Sequence, residues 1–203
     1  MARRSRVGSQ LANPTGWRGR IVAREMERFH RRMVDSAVEL LAVSSGDTSL
    51  DIGFGGGRSL GLLADRAAPA KVTGIDQSPT MVAMARRRHR RAIRAGAIDI
   101  VDGSVDDMPF GEATFDRVLS VNCLPYWPDP KAGLAEIARV VAPGGRVVIS
   151  VRPPGTMQAL APGACTFPDA EAFAELCRGT LNHEDTITGD DRLGGWLHFV
   201  VSR

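Results

Sequence analysis

Two aspartates each close a short apolar run: Asp51 in Leu50-Asp51-Ile52, and Asp76 after Val72-Thr73-Gly74-Ile75. The first run leads straight into Gly53-Phe54-Gly55-Gly56-Gly57. Glycines have no Cβ, so the backbone there bends sharply and a ligand lies close against it. A helix expected to begin at Arg58 points free N–H groups into the same space. This is the make-up of a nucleotide pocket, and the spacing selects among nucleotides. A dinucleotide turn needs G-x-G-x-x-G so that pyrophosphate sits on the helix N-terminus. Counted from Gly53, the third glycine position of that pattern holds Arg58. Asp51, two residues ahead of Gly53, opposes a pyrophosphate and suits a ligand that carries a cationic amine and a sulfonium. Asp76 is placed to accept hydrogen bonds from both hydroxyls of a ribose.

S-Adenosylmethionine (SAM) carries those groups. Five pieces occur in order along the chain: residues 50–57, Gly74-Ile75-Asp76-Gln77-Ser78-Pro79-Thr80-Met81, Met108-Pro109-Phe110, Phe115-Asp116-Arg117-Val118 and Pro143-Gly144-Gly145. In these pieces the chain resembles the class I SAM-dependent methyltransferases, in particular the small-molecule, UbiE-like group. The match runs from about residue 44 to 152, half the chain. The resemblance implies SAM as cofactor and S-adenosylhomocysteine as product. It also implies that Asp51, Gly53, Gly55 and Gly57 hold the methionine and ribose part, and that Asp76 binds the ribose. Gln77 and Met81 would border the adenine, although Met81 is equally suited to a helix core. Many relatives bind the adenine amino group with an aspartate, where this chain has Ser104 after Gly103. Either Ser104 with the Val105 backbone, or the neighbouring Asp106, takes that role. Asn122 and Cys123 follow the fourth strand, where relatives line the transferred methyl group.

A sulfonium methyl is already activated, so the protein's main task is to hold a nucleophile in line and exclude water. A general base is needed only for an acceptor that is protonated at working pH, and the sequence shows no dedicated one. Asn122-Cys123-Leu124-Pro125-Tyr126 has one residue too many for the Asn-Pro-Pro-Tyr signature of base and glutamine methylation. Tyr126, a weak catalytic candidate, and Trp127 sit where an aromatic wall faces an acceptor, or where a core residue packs on the next helix. His89 lies among Arg86, Arg87, Arg88, Arg90 and Arg91 and reads as a residue of a solvated face. His30, His183 and His198 form no recognisable triad or metal set. The expected acceptor is a small molecule. The alternatives are an RNA methyltransferase using the arginine-rich helices, and a non-catalytic SAM-binding protein. A nicotinamide oxidoreductase is opposed by Asp51 and Arg58.

The elements that position these residues alternate strand and helix, as in a parallel sheet covered on both faces. Strands are expected at 49–52, 72–75, 98–101, 115–121, 146–151, 185–188 and 196–201, with helices at 58–67, 79–95, 130–141 and 170–180. Ser78-Pro79 and Asp129-Pro130 each set a capping oxygen ahead of a proline at the first helical position. The fold expected is α/β: a Rossmann-like, doubly wound, seven-stranded, mostly parallel sheet with one antiparallel strand and helices on both faces. Ahead of it, residues 1–45 read as an arm and an amphipathic cap helix, leaving 46–203 as the methyltransferase domain. In that helix Val22, Met26, Phe29, Met33, Ala37 and Leu40 share one face, and Arg20, Arg24, Arg28 and Arg31 lie opposite. Trp17, in the arm, is a lid over the cofactor or an anchor for the arm.

At 203 residues with 43% apolar and 24% charged side chains, the composition is that of one globular domain. No apolar run reaches the length of a membrane span, and the arginine-bearing N-terminus lacks a signal-type apolar segment, so a cytoplasmic protein is expected, as monomer or homodimer. The net charge of +3 comes almost wholly from arginine and gives nucleic acid little support as a partner. Cys123, Cys165 and Cys177 have no metal-type spacing and read as reduced thiols.

Overall fold

The computed structural model describes residues 16–160, 170–191 and 194–203. The expectations on residues 1–15, the Trp17 side chain and Cys165 lie outside the described residues. The chain opens with helix α1 (Gly16–Leu40) and then runs β1 (Ser49–Ile52), α2 (Arg58–Ala67), β2 (Val72–Asp76), α3 (Pro79–Arg88), α4 (Arg90–Arg94) and β3 (Ile98–Asp102). There follow β4 (Phe115–Val121), a single 3-10 turn (Leu124–Tyr126), α5 (Pro130–Val140), β5 (Val141–Val151), α6 (Pro154–Leu160), α7 (Ala170–Cys177), β6 (Asn182–Gly189) and β7 (Trp196–Ser202).

Seven strands form one sheet in the order β3-β2-β1-β4-β5-β7-β6, in which only β7 runs antiparallel to its neighbours. Strands β1 and β2 are buried along their whole length, as expected of parallel strands covered on both faces. Alternate residues feed two cores. Val118, Val147, Ile149, Phe199 and Val201 face α5 and α7 on one side. Leu119, Val148 and Val200 face α1, α2 and α3 on the other. Strand order reverses between β1 and β4, and a crevice opens at the C-terminal ends of strands at such a switch point. Asp51, Asp76 and Asn122 all lie at those ends.

The two proline-led helix starts form as expected. Ser78 Oγ accepts from the Met81 N–H, and Asp129 Oδ1 accepts from the Lys131 and Ala132 N–H groups. The helix expected over 79–95 is instead two helices, broken at His89, whose φ of −100° and ψ of 18° leave the helical region. Its imidazole turns inward to the carbonyl of Gly57 at 2.6 Å, so His89 is not a solvated-face residue. The inward face of α1 is also rotated from the expected one. Phe29 is 52% exposed, while His30, Met33, Ala37, Val38 and Leu41 are buried. Spacings of three and four fit either stripe. The stripe that begins at His30 continues into Val38 and Leu41, the residues that meet Leu60 and Leu63 in the core.

Arg152, just past β5, is the largest fully buried side chain described. Its guanidinium donates to both oxygens of Asp191 at 2.8 and 2.7 Å, to Gly195 O at 2.9 Å and to Phe29 O at 3.1 Å. It also lies 5.7 Å from the centre of the Trp196 ring. One side chain thus fastens the middle of α1 to the turn between β6 and β7. Truncating it takes a two-oxygen partner away from Asp191, whose side chain is only 10% exposed. Arg152→Ala is expected to destabilise the protein by about 3–5 kcal/mol in urea unfolding, and a loss under about 1 kcal/mol would mean that the pair is idle.

Candidate functional site

The site is built on the turn after β1. Gly53, Gly55 and Gly57 all have positive φ, at 69°, 53° and 79°, a region that side chains with a Cβ rarely adopt. At Gly53 a Cβ would also collide with the Cys123 sulfur, so the post-β1 and post-β4 segments touch only because residue 53 is glycine. Cys123 Sγ donates to Gly53 O at 3.2 Å. Burial and the nearby Asp76 and Asp51 carboxylates push the thiol pKa far upward, so it stays protonated.

Asp76 braces this turn. One carboxylate oxygen accepts the Gly55 N–H at 3.0 Å and the other the Ser78 N–H at 2.9 Å. Burial still pushes its pKa up to about 6, against the lowering effect of those two bonds. Asp51 is 2% exposed, and burial drives it up to about 7, with Ser59 opposing the shift and Asp76 adding to it. Asp51 Oδ2 is buried without a hydrogen-bond partner among the described residues, and so is Asn122 Oδ1. Asn122 is also held at φ 57°, a left-handed conformation that is uncommon outside glycine, with its N–H bonded to Ser150 O at 2.7 Å. Unsatisfied buried acceptors of this kind are costly in an otherwise finished structure. A ligand with an ammonium group and hydroxyls supplies the missing donors, so the residues present fit SAM.

One cavity gathers most of the residues expected from the sequence: Asp51, Gly53, Gly55, Asp76, Gln77, Met81, Ser104, Val105, Asn122 and Tyr126. Gly57 is not among its lining. That residue caps α2 in the left-handed conformation and faces Ala85 and His89 behind the turn. Of the two candidates for the adenine edge, Ser104 with Val105 lines the cavity and Asp106 does not; the Ser104 hydroxyl donates to the Asp106 carboxylate. Trp127 combines both readings offered for it, being 8% exposed against Gly133 of α5 while also lining the cavity.

Sequence reasoning missed the fourth wall. Met26, Glu27, His30 and Val34 of α1 line the same cavity. Glu27 accepts from Arg88 at 2.8 Å, and Arg88 also donates to Gly56 O at 3.1 Å, so α1 is tied to the glycine turn. The one signal available was a histidine at position 30 between two apolar positions, four residues from Met26 and four from Val34. Burial and the Arg152 charge bring His30 down to about 4, with Asp191 opposing, so it is neutral at physiological pH.

An open α/β sheet with an acid-flanked glycine turn at its switch point defines a nucleotide-binding protein. Residues 50–149 match the family model described as Methyltransferase domain. The chain belongs to the class I SAM-dependent methyltransferases, with SAM as the cofactor. It is 29% identical over 135 residues to the uncharacterized methyltransferase YdaC of Bacillus subtilis, covering 66% of this chain and 70% of that one. It is 32% identical over 137 residues to the erythromycin 3''-O-methyltransferase of Saccharopolyspora erythraea, covering 64% of this chain but only 45% of that enzyme. The chain likewise spans less than half the length of several other curated relatives. Among solved structures, it superposes with a TM-score of 0.79 on a chain of the complex between the Haloferax volcanii Trm112 methyltransferase activator and a methyltransferase. That match is 25% identical and covers 99% of both chains.

Asp51 and Asp76 take up protons more readily in the folded than in the unfolded chain. From the ordinary aspartate range up to about 7 the folded state therefore holds the extra protons, and ligand-free stability falls as pH rises through that window. Asp51→Asn is expected to raise ligand-free stability at pH 8 by ~1–3 kcal/mol and to flatten this part of the pH profile. A variant less stable than the parent at pH 8 would contradict the assignment of Asp51 as an uncompensated buried carboxylate.

Proposed function

We propose that this chain transfers the methyl group of SAM to a small organic acceptor held between α1 and the segment that follows β4. When bound, SAM supplies a methyl group already activated by its sulfonium. Asp51 and the carbonyl oxygen of Asn122 receive the ammonium of the methionine moiety, while the Gly53–Gly55 turn lies against its chain and ribose. Asp76 accepts from the ribose hydroxyls with the lone pairs that Gly55 and Ser78 leave open. Gln77 and Met81 border the adenine, and Ser104 with the Val105 backbone meets its edge.

The observation that carries this reading is the pair of unpartnered buried oxygens, on Asp51 and Asn122, in one cavity with a turn of positive φ. Those oxygens accept hydrogen bonds and attract positive charge, which a diphosphate does not offer. The acceptor side is apolar and aromatic, with Met26, Val34, Tyr126, Trp127 and Pro128 around it. That lining suits an organic acceptor better than a nucleic-acid strand. Arg86 and Arg88, from the basic helices, are engaged with the Ile100 carbonyl and with Glu27 and Gly56, so this pair gives the RNA reading no support. The erythromycin 3''-O-methyltransferase among the relatives is consistent with a small acceptor. We read residues 46–203 as the transfer domain and α1 as its cap.

Equilibrium dialysis with SAM tests the cofactor side. Asp76→Ala is expected to raise the SAM dissociation constant at least about tenfold, the effect of losing a charge-assisted hydrogen bond in a buried site. An unchanged constant would remove Asp76 from the site. Methyl-labelled SAM with a panel of organic acceptors tests the transfer, and label on no acceptor with SAM tightly bound would favour a binding protein over an enzyme.

A further inference from the structure

The cavity holds seven ionisable side chains, and most of them are already committed. Glu27 is paired with Arg88, and Arg58 makes a three-bond contact with Asp35. Asp76 braces the glycine turn and Cys123 donates to Gly53 O, and Asp51 is the residue assigned above to the donor's ammonium. Tyr126 has an interaction of its own, which leaves His30, and no described residue is hydrogen-bonded to the His30 ring. His30 is 9% exposed and lines the cavity.

Its placement is built into the fold. Met26, His30 and Val34 follow one another at intervals of one helical turn, so they form a single stripe over the cavity. The Arg152 guanidinium fixes the same turn of α1 through the carbonyl of Phe29, the residue next to His30. Tyr126, Trp127 and Pro128 line the same cavity.

We propose that His30 is the catalytic base of the transfer, and that the acceptor is a hydroxyl on a flat, apolar skeleton held against Tyr126 and Trp127. The inference rests on the methyl-transfer reading above. The acceptor oxygen uses a lone pair to form the new O–C bond to the methyl carbon. The C–S bonding pair goes to sulfur, giving neutral S-adenosylhomocysteine, and the O–H proton passes to a ring nitrogen of His30. The imidazolium so formed is repelled by Arg152 and only partly relieved by Asp191, the two charged groups that face it, and so passes the proton on to water. A neutral ring at rest is the form that accepts a proton.

The test uses the full chain with methyl-labelled SAM and three probes of graded acidity, 4-methylphenol, phenol and 4-nitrophenol, with benzylamine as the amine control. His30→Gln and His30→Asn are expected to keep the parent's SAM affinity within about twofold, while kcat for phenol falls about 100-fold or more. The deficit should shrink for 4-nitrophenol, which ionises without help, and added imidazole should restore part of the activity of His30→Ala. Equal losses across the three phenols would overturn the proposal in favour of a packing role. So would an undiminished kcat in both variants, or a parent protein that binds SAM and methylates benzylamine but no phenol. A parent that fails to bind SAM would instead remove the methyl-transfer reading itself.

Discussion

Two carboxyl groups are held out of water at the ends of adjacent parallel strands, and the pocket is arranged around that constraint. Asp51 and Asp76 sit at the tips of β1 and β2, where strands fully covered by helices leave no route to solvent except through the cavity. A buried carboxylate either takes up a proton or finds donors. Asp76 finds two, and both are backbone N–H groups of turns. Asp51 finds only Ser59, and one of its oxygens has no described partner. The site is thus left electrostatically incomplete, in a way that a cationic ligand completes and a diphosphate worsens. Stability withheld at such a place is a common feature of functional sites.

Everything around the two acids limits where a ligand sits. The positive φ angles carry the backbone across the strand ends, and contact between Gly53 and Cys123 brings the post-β4 segment to the same mouth. On the far side α1 is fastened twice, by Arg88 through Glu27 and by Arg152 through Phe29 O. These ties join the first helix to the basic helix and to the closing hairpin, parts of the chain far apart in sequence. The helix that lines one side of the cavity is therefore positioned by contacts distant in sequence. His30 inherits its burial and its depressed basicity from the same arrangement.

Much of this was legible in the sequence, for a physical reason. Strand-to-turn junctions with Asp51 and Asp76 are local, so residue order alone places them, and the sheet follows from alternating apolar runs and proline-led helix starts. Ser78 and Asp129 cap as their neighbours imply. What was not legible depends on tertiary contact. The face of α1 was ambiguous because residues 26, 29 and 33 and residues 26, 30 and 34 are both helical stripes, and only packing against α2 decides between them. His89 sits in a run of arginines that reads as solvated, yet Gly57 draws its ring inward. Arg152 and Asp191 are 39 residues apart, and nothing in either neighbourhood signals a buried pair.

Proton release on cofactor binding reports on the two buried acids themselves. SAM binding should be followed by titration calorimetry near pH 6, in two buffers of different ionisation heat. With Asp51 raised to about 7 and Asp76 to about 6, both acids are partly protonated in the free protein, and a cationic ligand drives the protons off. A net release approaching one proton per SAM is expected, fading by pH 8 as the acids ionise beforehand. Binding with no proton release at pH 6, or with uptake, would contradict it.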